Sequence, residues 1–389
     1  MSRSSAARTV AAAGVVATAI MLPGCGETAH SQKVRQEARG RYDRASAQIV
    51  YDQARQSFHS GQFEQALGHV DKAIGRYPKD SSYHLLRGRI LHEMMRVEES
   101  RQAFAQSATL DPAKPEPHYF MGIIHQRWRE NDRAAECYGT AARLDPSKLH
   151  FAAAEVEVLT LMGQHGDAEE RLADLGKRFE FSPVIDRLHA DLAKMKGDHD
   201  ACAQLLERAA VRETSSPELL EELAFARYSK GDWNGSLSVL DDPALADRGG
   251  RPDLARLRAR NLILVGRPAE ARDALLSIKG DTDPEGRTAM LLGHASWRLG
   301  DWGRLRDCGR TLVSRRPDLA DGYLFQGAAA GALGQLDDAI AFYEAALARE
   351  PERHVAQRLM ADAGGARDGA APADPSLPAA AGALRSDAP

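Results

Sequence analysis

The sequence is poor in aromatic residues and cysteines, and it has no large excess of charge of either sign. Phe, Trp and Tyr make up 6% of its 389 residues, which favours a helical, alanine-packed chain over a β-rich one. Its 51 basic residues against 55 acidic ones give a formal net charge of −4, without the basic surplus typical of nucleic-acid binders. The four cysteines include no CxxC pair, which argues against a disulfide framework and a zinc site. We therefore expect no nucleic-acid partner.

The common catalytic motifs are also absent from the sequence. It contains no GxxxxGK[ST] phosphate-binding loop, no HExxH metal site and no GxSxG nucleophile elbow. The pair His92-Glu93 is followed by Arg96 where a zinc-binding motif would need its second histidine. We therefore predict that the protein is not an enzyme and that it binds no cofactor and no metal.

The N-terminus has the pattern of a processed leader. Residues 1–24 contain Arg3 and Arg8, no acidic residue, and an apolar run over 10–22. This run is shorter than the roughly 20 residues that a membrane-spanning helix needs, so it indicates a signal segment. It ends in Leu22-Pro23-Gly24-Cys25, which resembles the bacterial lipoprotein lipobox. The resemblance implies a signal peptide at 1–24 and a lipid on Cys25, the mature first residue.

Two further expectations concern the mature N-terminus. Gly26 follows Cys25, and by analogy with enteric bacteria the absence of an aspartate at that position favours the periplasmic face of the outer membrane. Residues 25–46 are polar and are predicted to be a lipidated tether that leads into the first helix. Without Arg3 and Arg8 the net charge becomes −6, which further disfavours binding to nucleic acid or directly to a membrane surface. The alternative is an ordinary secretory signal with a chance cysteine.

A glycine repeat determines the predicted fold. Successive glycines in one register lie 34 or 35 residues apart, except that Met95 and Arg129 occupy two of the nine positions. Seven residues before each position the chain has Gly or Ala in eight of nine cases. Small residues let two antiparallel helices approach closely, and a glycine supplies the positive φ that ends the first of them. The glycines are Gly61, Gly163, Gly197, Gly231, Gly266, Gly300 and Gly334.

These columns, with large residues such as Tyr138, Trp302 and Tyr343, resemble the tetratricopeptide repeat, whose period is 34 residues. The resemblance implies an all-α, right-handed α-solenoid of about nine helix pairs over 47–351. Repeats would begin near residues 47, 81, 115, 149, 183, 217, 252, 286 and 320. Residues 352–363 are predicted to form a capping helix, and 364–389, rich in Ala, Gly, Pro and Asp, a disordered tail.

The remaining cysteines fall on predicted second helices. Cys137, Cys202 and Cys308 belong to the third, fifth and eighth repeats. Repeats stack about 10 Å apart, which is beyond the Cα separation of a disulfide for residues two or more repeats apart. We expect three free thiols that act as small packing residues.

The resemblance further implies a concave groove lined by the first helix of each repeat. Family positions place a basic, aromatic patch in the first three repeats and a second cluster in repeats six to eight. Aromatic side chains supply contact area and guanidinium groups pair with carboxylates, as a peptide groove requires. The alternative for each residue is packing against the adjacent helix. The predicted groove residues are Tyr51, Arg55, Phe58, Arg89, His92, Tyr119, Arg127, Tyr228, Arg260 and Trp297.

The resulting hypothesis is a membrane-anchored scaffold that holds a segment of another envelope protein in its groove, in assembly or export at the outer membrane. The first repeat has Tyr51 and Arg55 where the family's chaperone-tail clamp has lysine and asparagine, so we infer no chaperone-tail binding. The alternative is a polysaccharide-binding component of an exopolysaccharide export system, in which the aromatics stack on sugars. Arginines beside the aromatics favour a protein partner, and a glycan stays possible.

Overall fold

A computed structural model of the chain describes residues 29–213, 216–248, 251–278 and 283–368. Within these ranges every regular element is helical: there are nineteen α-helices and one short 3-10 helix, and no strand. The all-α class predicted from the sequence is therefore confirmed. The leader at 1–24, Cys25 and the tail beyond residue 368 lie outside the described residues.

The helices follow one another with short connections and alternate between the first and second helix of a pair. Their bounds are α1 Ala29–His59, α2 Phe63–Arg76, α3 Ser81–Glu93, α4 Val97–Leu110, α5 Pro115–Arg127, α6 Asn131–Leu144, α7 Leu149–Leu161, α8 His165–Arg178, α9 Pro183–Met195, α10 His199–Arg212, α11 Pro217–Lys230, α12 Trp233–Leu240, α13 Pro252–Leu264, α14 Pro268–Leu276, α15 Arg287–Leu299, α16 Trp302–Arg315, α17 Ala320–Ala332, α18 Leu336–Leu347 and α19 His354–Arg367. The 3-10 helix Pro243–Arg248 lies between α12 and α13.

The first helices begin where the repeat pattern predicts. From α3 to α17, each odd-numbered helix starts at the predicted first residue of a repeat or one residue later. Pro183, Pro217 and Pro252 open α9, α11 and α13. Proline is tolerated in the first turn because the N–H that it lacks would have no partner within the helix there.

The chain divides into two compact units, one up to Ile124 and one from His125. In the first unit α2 packs between α1 and α3, and α3 also packs against α4. In the second unit each helix from α6 to α19 packs against the next. First helices of successive pairs are also in contact: α7 packs against α9, and α15 packs against α17. Contacts between neighbours in chain order define an α-solenoid, so this part of the prediction is confirmed.

The turns inside the pairs have the left-handed backbone that the glycine register predicts. All seven glycines have a positive φ, from 69° at Gly300 to 90° at Gly231. Met95 and Arg129, the two exceptions in the register, have φ values of 61° and 62°. A side chain at positive φ is strained, so the packing of the paired helices imposes the turn even where glycine is missing.

The column of small residues allows helices to contact aromatic rings closely. A Cβ atom on Gly88 would lie 2.5 Å from the Phe104 ring, and one on Gly327 would lie 2.6 Å from the ring of Tyr343. Atoms do not approach so closely without a shift of the structure. Glycine is therefore needed at these two helix crossings.

Three segments depart from the regular alternation of helix pairs. Helix α1 begins at Ala29, so most of the predicted tether is helical; its Ala, Arg, Gln and Lys residues favour a helix. Helix α19 runs to Arg367 and includes residues 364–367 of the predicted disordered tail, because Ala363 is buried there and extends the packed face. Helix α12 has only 8 residues, and the proline at position 243 follows it.

Buried alanines, leucines and aromatic rings form the core of each unit. In the first unit, Ala54, Val70 and Ile90 from α1, α2 and α3 are buried together. The second unit has successive clusters along its helices, one of which includes Leu312, Phe325 and Tyr343. None of the described helices is long and apolar enough to cross a membrane.

Candidate functional site

A cavity of about 120 Å³ lies between α1 and α3 in the first unit. Helix α1 contributes three of the predicted groove residues to it, and α3 contributes one. The residues that line it are Tyr51, Arg55, Phe58, His59, Ser82, Leu85, Leu86 and Arg89. Four of the ten predicted groove residues, Tyr51, Arg55, Phe58 and Arg89, thus surround one cavity.

Arg89 is held between aromatic rings from two other helices. Its guanidinium carbon lies 4.9 Å from the ring centroid of Phe58 and 5.8 Å from that of Phe120. Both distances are within the range of a cation–π interaction. The Phe120 ring in turn stacks on Phe104, with centroids 5.0 Å apart and an angle of 9° between the ring planes. The side chain of Arg89 remains exposed, so it is positioned without being removed from solvent.

Polar groups surround the aromatic part of the cavity. Arg55 is exposed and makes a long ion pair with Asp52, at 3.9 Å. The Nδ1 atom of His59 donates to the carbonyl oxygen of Arg55 at 2.6 Å, which makes Nε2 the acceptor when the ring is neutral. Lys114 Nζ donates to the hydroxyl of Ser82 at 2.8 Å. The cavity therefore combines an aromatic wall with three cations at or near its edge.

Burial raises the pKa of the Tyr51 hydroxyl, and Arg55 opposes this shift. The ring of Tyr51 packs on that of Tyr83 with centroids 4.8 Å apart. With a pKa above its ordinary value of about 10, Tyr51 stays protonated at neutral pH and can donate a hydrogen bond. The cavity can thus receive a carboxylate or a carbonyl oxygen beside an apolar or aromatic group.

The other predicted groove residues of the first three repeats lie outside this cavity. His92 is half-buried, and its Nδ1 atom is buried without a hydrogen-bond partner. Tyr119 is half-buried and contacts Phe120 edge to face at 5.7 Å. Arg127 is exposed and belongs to the second unit. The structure does not place these three side chains in the cavity lining.

The structure corrects the prediction for two of the three residues in the second predicted cluster. Tyr228 and Trp297 are buried, with 7% and 3% of their surfaces exposed. Tyr228 joins a core cluster that includes Leu245 of the 3-10 helix, and Trp297 contacts the ring of Phe325 at 6.0 Å. Both side chains are enclosed by neighbouring helices and cannot line an open groove. Arg260 is half-buried.

Sequence reasoning missed an acidic strip in the second unit. Glu157 of α7 and Asp191 of α9 lie at the ninth position of their repeats, as Arg55 and Arg89 do in the first two. Desolvation raises the pKa of both carboxyls; Asp191 raises that of Glu157 further, and Glu222 raises that of Asp191. Both side chains are still open to solvent. Comparing the ninth positions would have revealed this change of charge.

Two other cavity features were also missed. Leu85 and Ser82 occupy groove positions of the second repeat, but they are neither basic nor aromatic, so their residue type gives no sign of a groove. Phe120 lies one position after the groove position of Tyr119. No pattern in the sequence shows that it reaches Arg89, because that contact joins two helices.

Potential metal ligands and thiols are spread over the part of the chain that the structure describes. The described residues contain no group of three or more His, Cys, Asp or Glu side chains that could hold a metal ion. Cys137, Cys202 and Cys308 are free thiols. Burial raises the pKa of all three, to about 12 for Cys308. These thiols are therefore protonated at neutral pH, and they are poor nucleophiles.

Comparison with known proteins gives the following similarities. Residues 320–353 match the family model described as "Tetratricopeptide repeat". A tetratricopeptide repeat protein from Parabacteroides merdae is 12% identical, with 82% of this chain and 98% of that one covered and a TM-score of 0.45. No curated protein matches the chain.

Two further solved structures are also similar to this chain. PilW, described as a widely conserved type IV pilus biogenesis factor, is 16% identical, covers 52% of this chain and 98% of its own, and has a TM-score of 0.45. Pseudomonas aeruginosa pilF is 15% identical, covers 53% of this chain and 90% of its own, and has a TM-score of 0.43.

Proposed function

We propose, from the premise that the chain is a tetratricopeptide-repeat protein, that it is a non-enzymatic scaffold which binds a segment of another bacterial envelope protein. A lipid on Cys25 would hold it at the periplasmic face of the outer membrane. Its role there would be in assembly or export. The partner segment would enter the cavity between α1 and α3.

The observation that carries this proposal is the convergence of predicted groove residues on one cavity. Phe58 and Arg89 come from different helices and contact each other across it. Arg89 is oriented by two rings before any partner arrives, so little side-chain freedom would be lost on binding. Such preorganised aromatic and arginine side chains are the groups that dominate binding energy in protein interfaces.

The cavity chemistry indicates what the partner segment should carry. Arg55 and Arg89 would attract a carboxylate, and a guanidinium binds it with two parallel hydrogen bonds. Tyr51 would donate a hydrogen bond, while Leu85 and Phe58 would contact an apolar side chain beside that carboxylate. An acidic residue next to an apolar or aromatic one therefore suits the site best.

The anchor would add to the affinity without a new contact. A protein tied to a bilayer occupies a thin layer, in which the effective concentration of membrane-bound partners is high. A cavity that makes only a few contacts can then bind its partner through confinement at the surface. This would suit a scaffold that binds and releases its partners during assembly.

The test is photocrosslinking in intact cells with a photoreactive residue at Tyr51. We expect a discrete crosslinked partner that mass spectrometry identifies. The double variant Arg55→Glu/Arg89→Glu should reduce its yield at least about tenfold, because both cations are lost and the reversed charges repel a carboxylate. The matched control Arg133→Glu/Arg310→Glu changes the same charge at exposed sites in the second unit.

Circular dichroism should give the same helicity for both double variants. An unchanged crosslink in the Arg55→Glu/Arg89→Glu protein would remove this cavity from the proposal. So would an equal loss in the control variant, because the effect would then follow net charge rather than the site.

A further inference from the structure

The first part of α1 extends before the first predicted repeat. Residues 29–46 are helical and, at 1.5 Å per residue, cover about 27 Å. All nine residues from Gln32 to Gly40 are exposed. The helix is buried in the core of the first unit from Ala47 onward, where Ala47, Val50 and Ala54 are buried. Just before it, Arg44 lies over the ring of Tyr77, and Ser46 accepts a hydrogen bond from Arg76.

An apolar stripe follows the exposed side of this helix. Val34, Tyr42 and Ile49 have 47%, 72% and 63% of their surfaces exposed, and Ala38 and Ala45 are exposed between them. At about 100° per residue these five residues fall within roughly 80° of the helix circumference. The stripe points about 150° away from the buried face by the same count. The helix thus has one apolar side for the core and another that the first unit does not cover.

Cations border the stripe on both sides. Arg35 and Arg39 lie along one edge and Arg41 along the other, by the same helical spacing. Over 29–46 there are five basic and two acidic residues, a net charge of +3, although the whole chain has −4. The remaining sequence therefore carries −7. Positive charge is concentrated on the one helix segment that has an exposed apolar stripe.

We propose that this segment of α1 lies on an anionic lipid surface, with its apolar stripe in the interface and its arginines on the headgroups. An exposed apolar stripe bordered by Lys and Arg is the arrangement of helices that lie in a membrane interface. Each cation close to an anionic bilayer contributes roughly 1 kcal/mol. The acidic remainder of the protein would be repelled from the same surface, so contact would be made through α1 alone.

The position of α1 in the chain agrees with this assignment. Ala29 follows Cys25 by four residues, which span at most about 14 Å. An acyl group on Cys25 would therefore keep the start of the helix near the headgroups. The inference does not require that lipid, since the charge and the stripe belong to α1 itself, and it does not depend on the proposed partner cavity.

A second copy of this chain is the competing occupant of the stripe. The spacing Ala38, Tyr42, Ala45 and Ile49 alternates between four and three residues, as in a two-stranded coiled coil. In a pair of such helices, however, two segments that each carry a net charge of +3 would lie side by side. Such like charges repel. An anionic surface complements them, which favours the lipid.

The experiment uses the chain from residue 25 onward, with Cys25→Ala so that no acyl group is present. It is sedimented at low salt with vesicles of phosphatidylcholine alone, or of equal parts phosphatidylcholine and phosphatidylglycerol. We expect binding to the anionic vesicles and none to the neutral ones. Arg39→Glu/Arg41→Glu should weaken binding at least about thirtyfold, the effect of losing two cations near the surface. Tyr42→Ser should weaken it severalfold.

The control Arg133→Glu/Arg310→Glu makes the same change of net charge in the second unit, and its binding should stay within about twofold of the parent protein. Absence of binding to the anionic vesicles would overturn the inference, as would equal binding to neutral ones. A concentration-dependent dimer that Tyr42→Ser abolishes, without vesicle binding, would assign the stripe to a second copy instead.

Discussion

At the scale of single residues, the surroundings of a charged group determine its effect on the protein. Asp186 and Asp191 lie five positions apart on α9. Asp186 is buried and paired with both Arg208 and Arg212. Asp191 is solvent-exposed, yet neighbouring protein atoms and the charge of Glu222 disfavour its ionised form. The two arginines offset the cost of burying the Asp186 carboxylate, whereas the ionised Asp191 carboxylate lowers the stability of the fold at neutral pH.

We therefore expect Asp191→Asn to stabilise the protein. The folded-state pKa of Asp191 is raised, so its ionised carboxylate lowers the free energy of unfolding. This loss of stability is fully present above the folded-state pKa and decreases as the pH falls through it. The gain at pH 7 should be below about 1 kcal/mol, because solvent screens an exposed charge. It should vanish below about pH 4, where aspartate is protonated in the unfolded chain as well.

Urea unfolding of both proteins at several pH values measures this difference. Asp200→Asn, an exposed aspartate on α10 that pairs with Lys230 at 3.4 Å, serves as the control and should show no gain at pH 7. A stability difference for Asp191→Asn that grows as the pH falls would contradict the argument.

At the scale of helices, the same residue type has opposite effects at different positions. Gly88 of α3 faces the ring of Phe104, and an added Cβ would lie 2.5 Å from it. Gly68 of α2 has no atom within 4 Å of that position. One glycine is required by packing, and the other only makes the helix more costly to order.

We expect Gly88→Ala to lower the free energy of unfolding by about 1–3 kcal/mol, since the ring or the helix must move. Gly68→Ala should raise it by roughly 0.5–1 kcal/mol, the difference between glycine and alanine inside a helix. Chemical denaturation of the two variants tests this pair. Equal effects of the same sign would show that helix propensity, rather than the contact with Phe104, governs both positions.

At the scale of the whole molecule, attachment to the membrane would rest on two separate features, the lipid proposed on Cys25 and the basic helix α1. The first is hydrophobic and the second is electrostatic. Salt therefore distinguishes them, because it screens the charges of α1 and leaves the acyl chain in the bilayer.

We predict that Cys25→Ser releases the protein from membranes washed with high salt, and that the unaltered protein stays in the pellet until detergent is added. Each buried CH₂ of an acyl chain contributes about 0.8 kcal/mol, so release should be nearly complete. Fractionation followed by immunoblotting measures it. Cys137→Ser, a half-buried thiol on α6, is the matched control and should remain bound. Retention of the Cys25→Ser protein would point to another anchor.

The sequence by itself determined the period, the helix starts and the turn positions of this protein. These properties are local: a 34-residue spacing, a glycine at positive φ and a proline in a first turn act within one helix pair. Four lining residues of the cavity in the first unit stand at groove positions implied by the repeat resemblance, and two of them, Arg55 and Arg89, occupy the ninth position of consecutive repeats.

Only the tertiary structure decided which of the predicted side chains reach solvent. Exposure depends on neighbours about one repeat away, and short segments such as α12 and the 3-10 helix after it alter those neighbours. Tyr228 is buried in a cluster with Leu245 of that 3-10 helix, and Trp297 is buried against Phe325, although both share the register of the half-buried Phe58 and His92. The contacts of Arg89 with two rings, and the exposure of the second apolar side of α1, likewise depend on how the helices pack, which a pattern within one repeat does not contain.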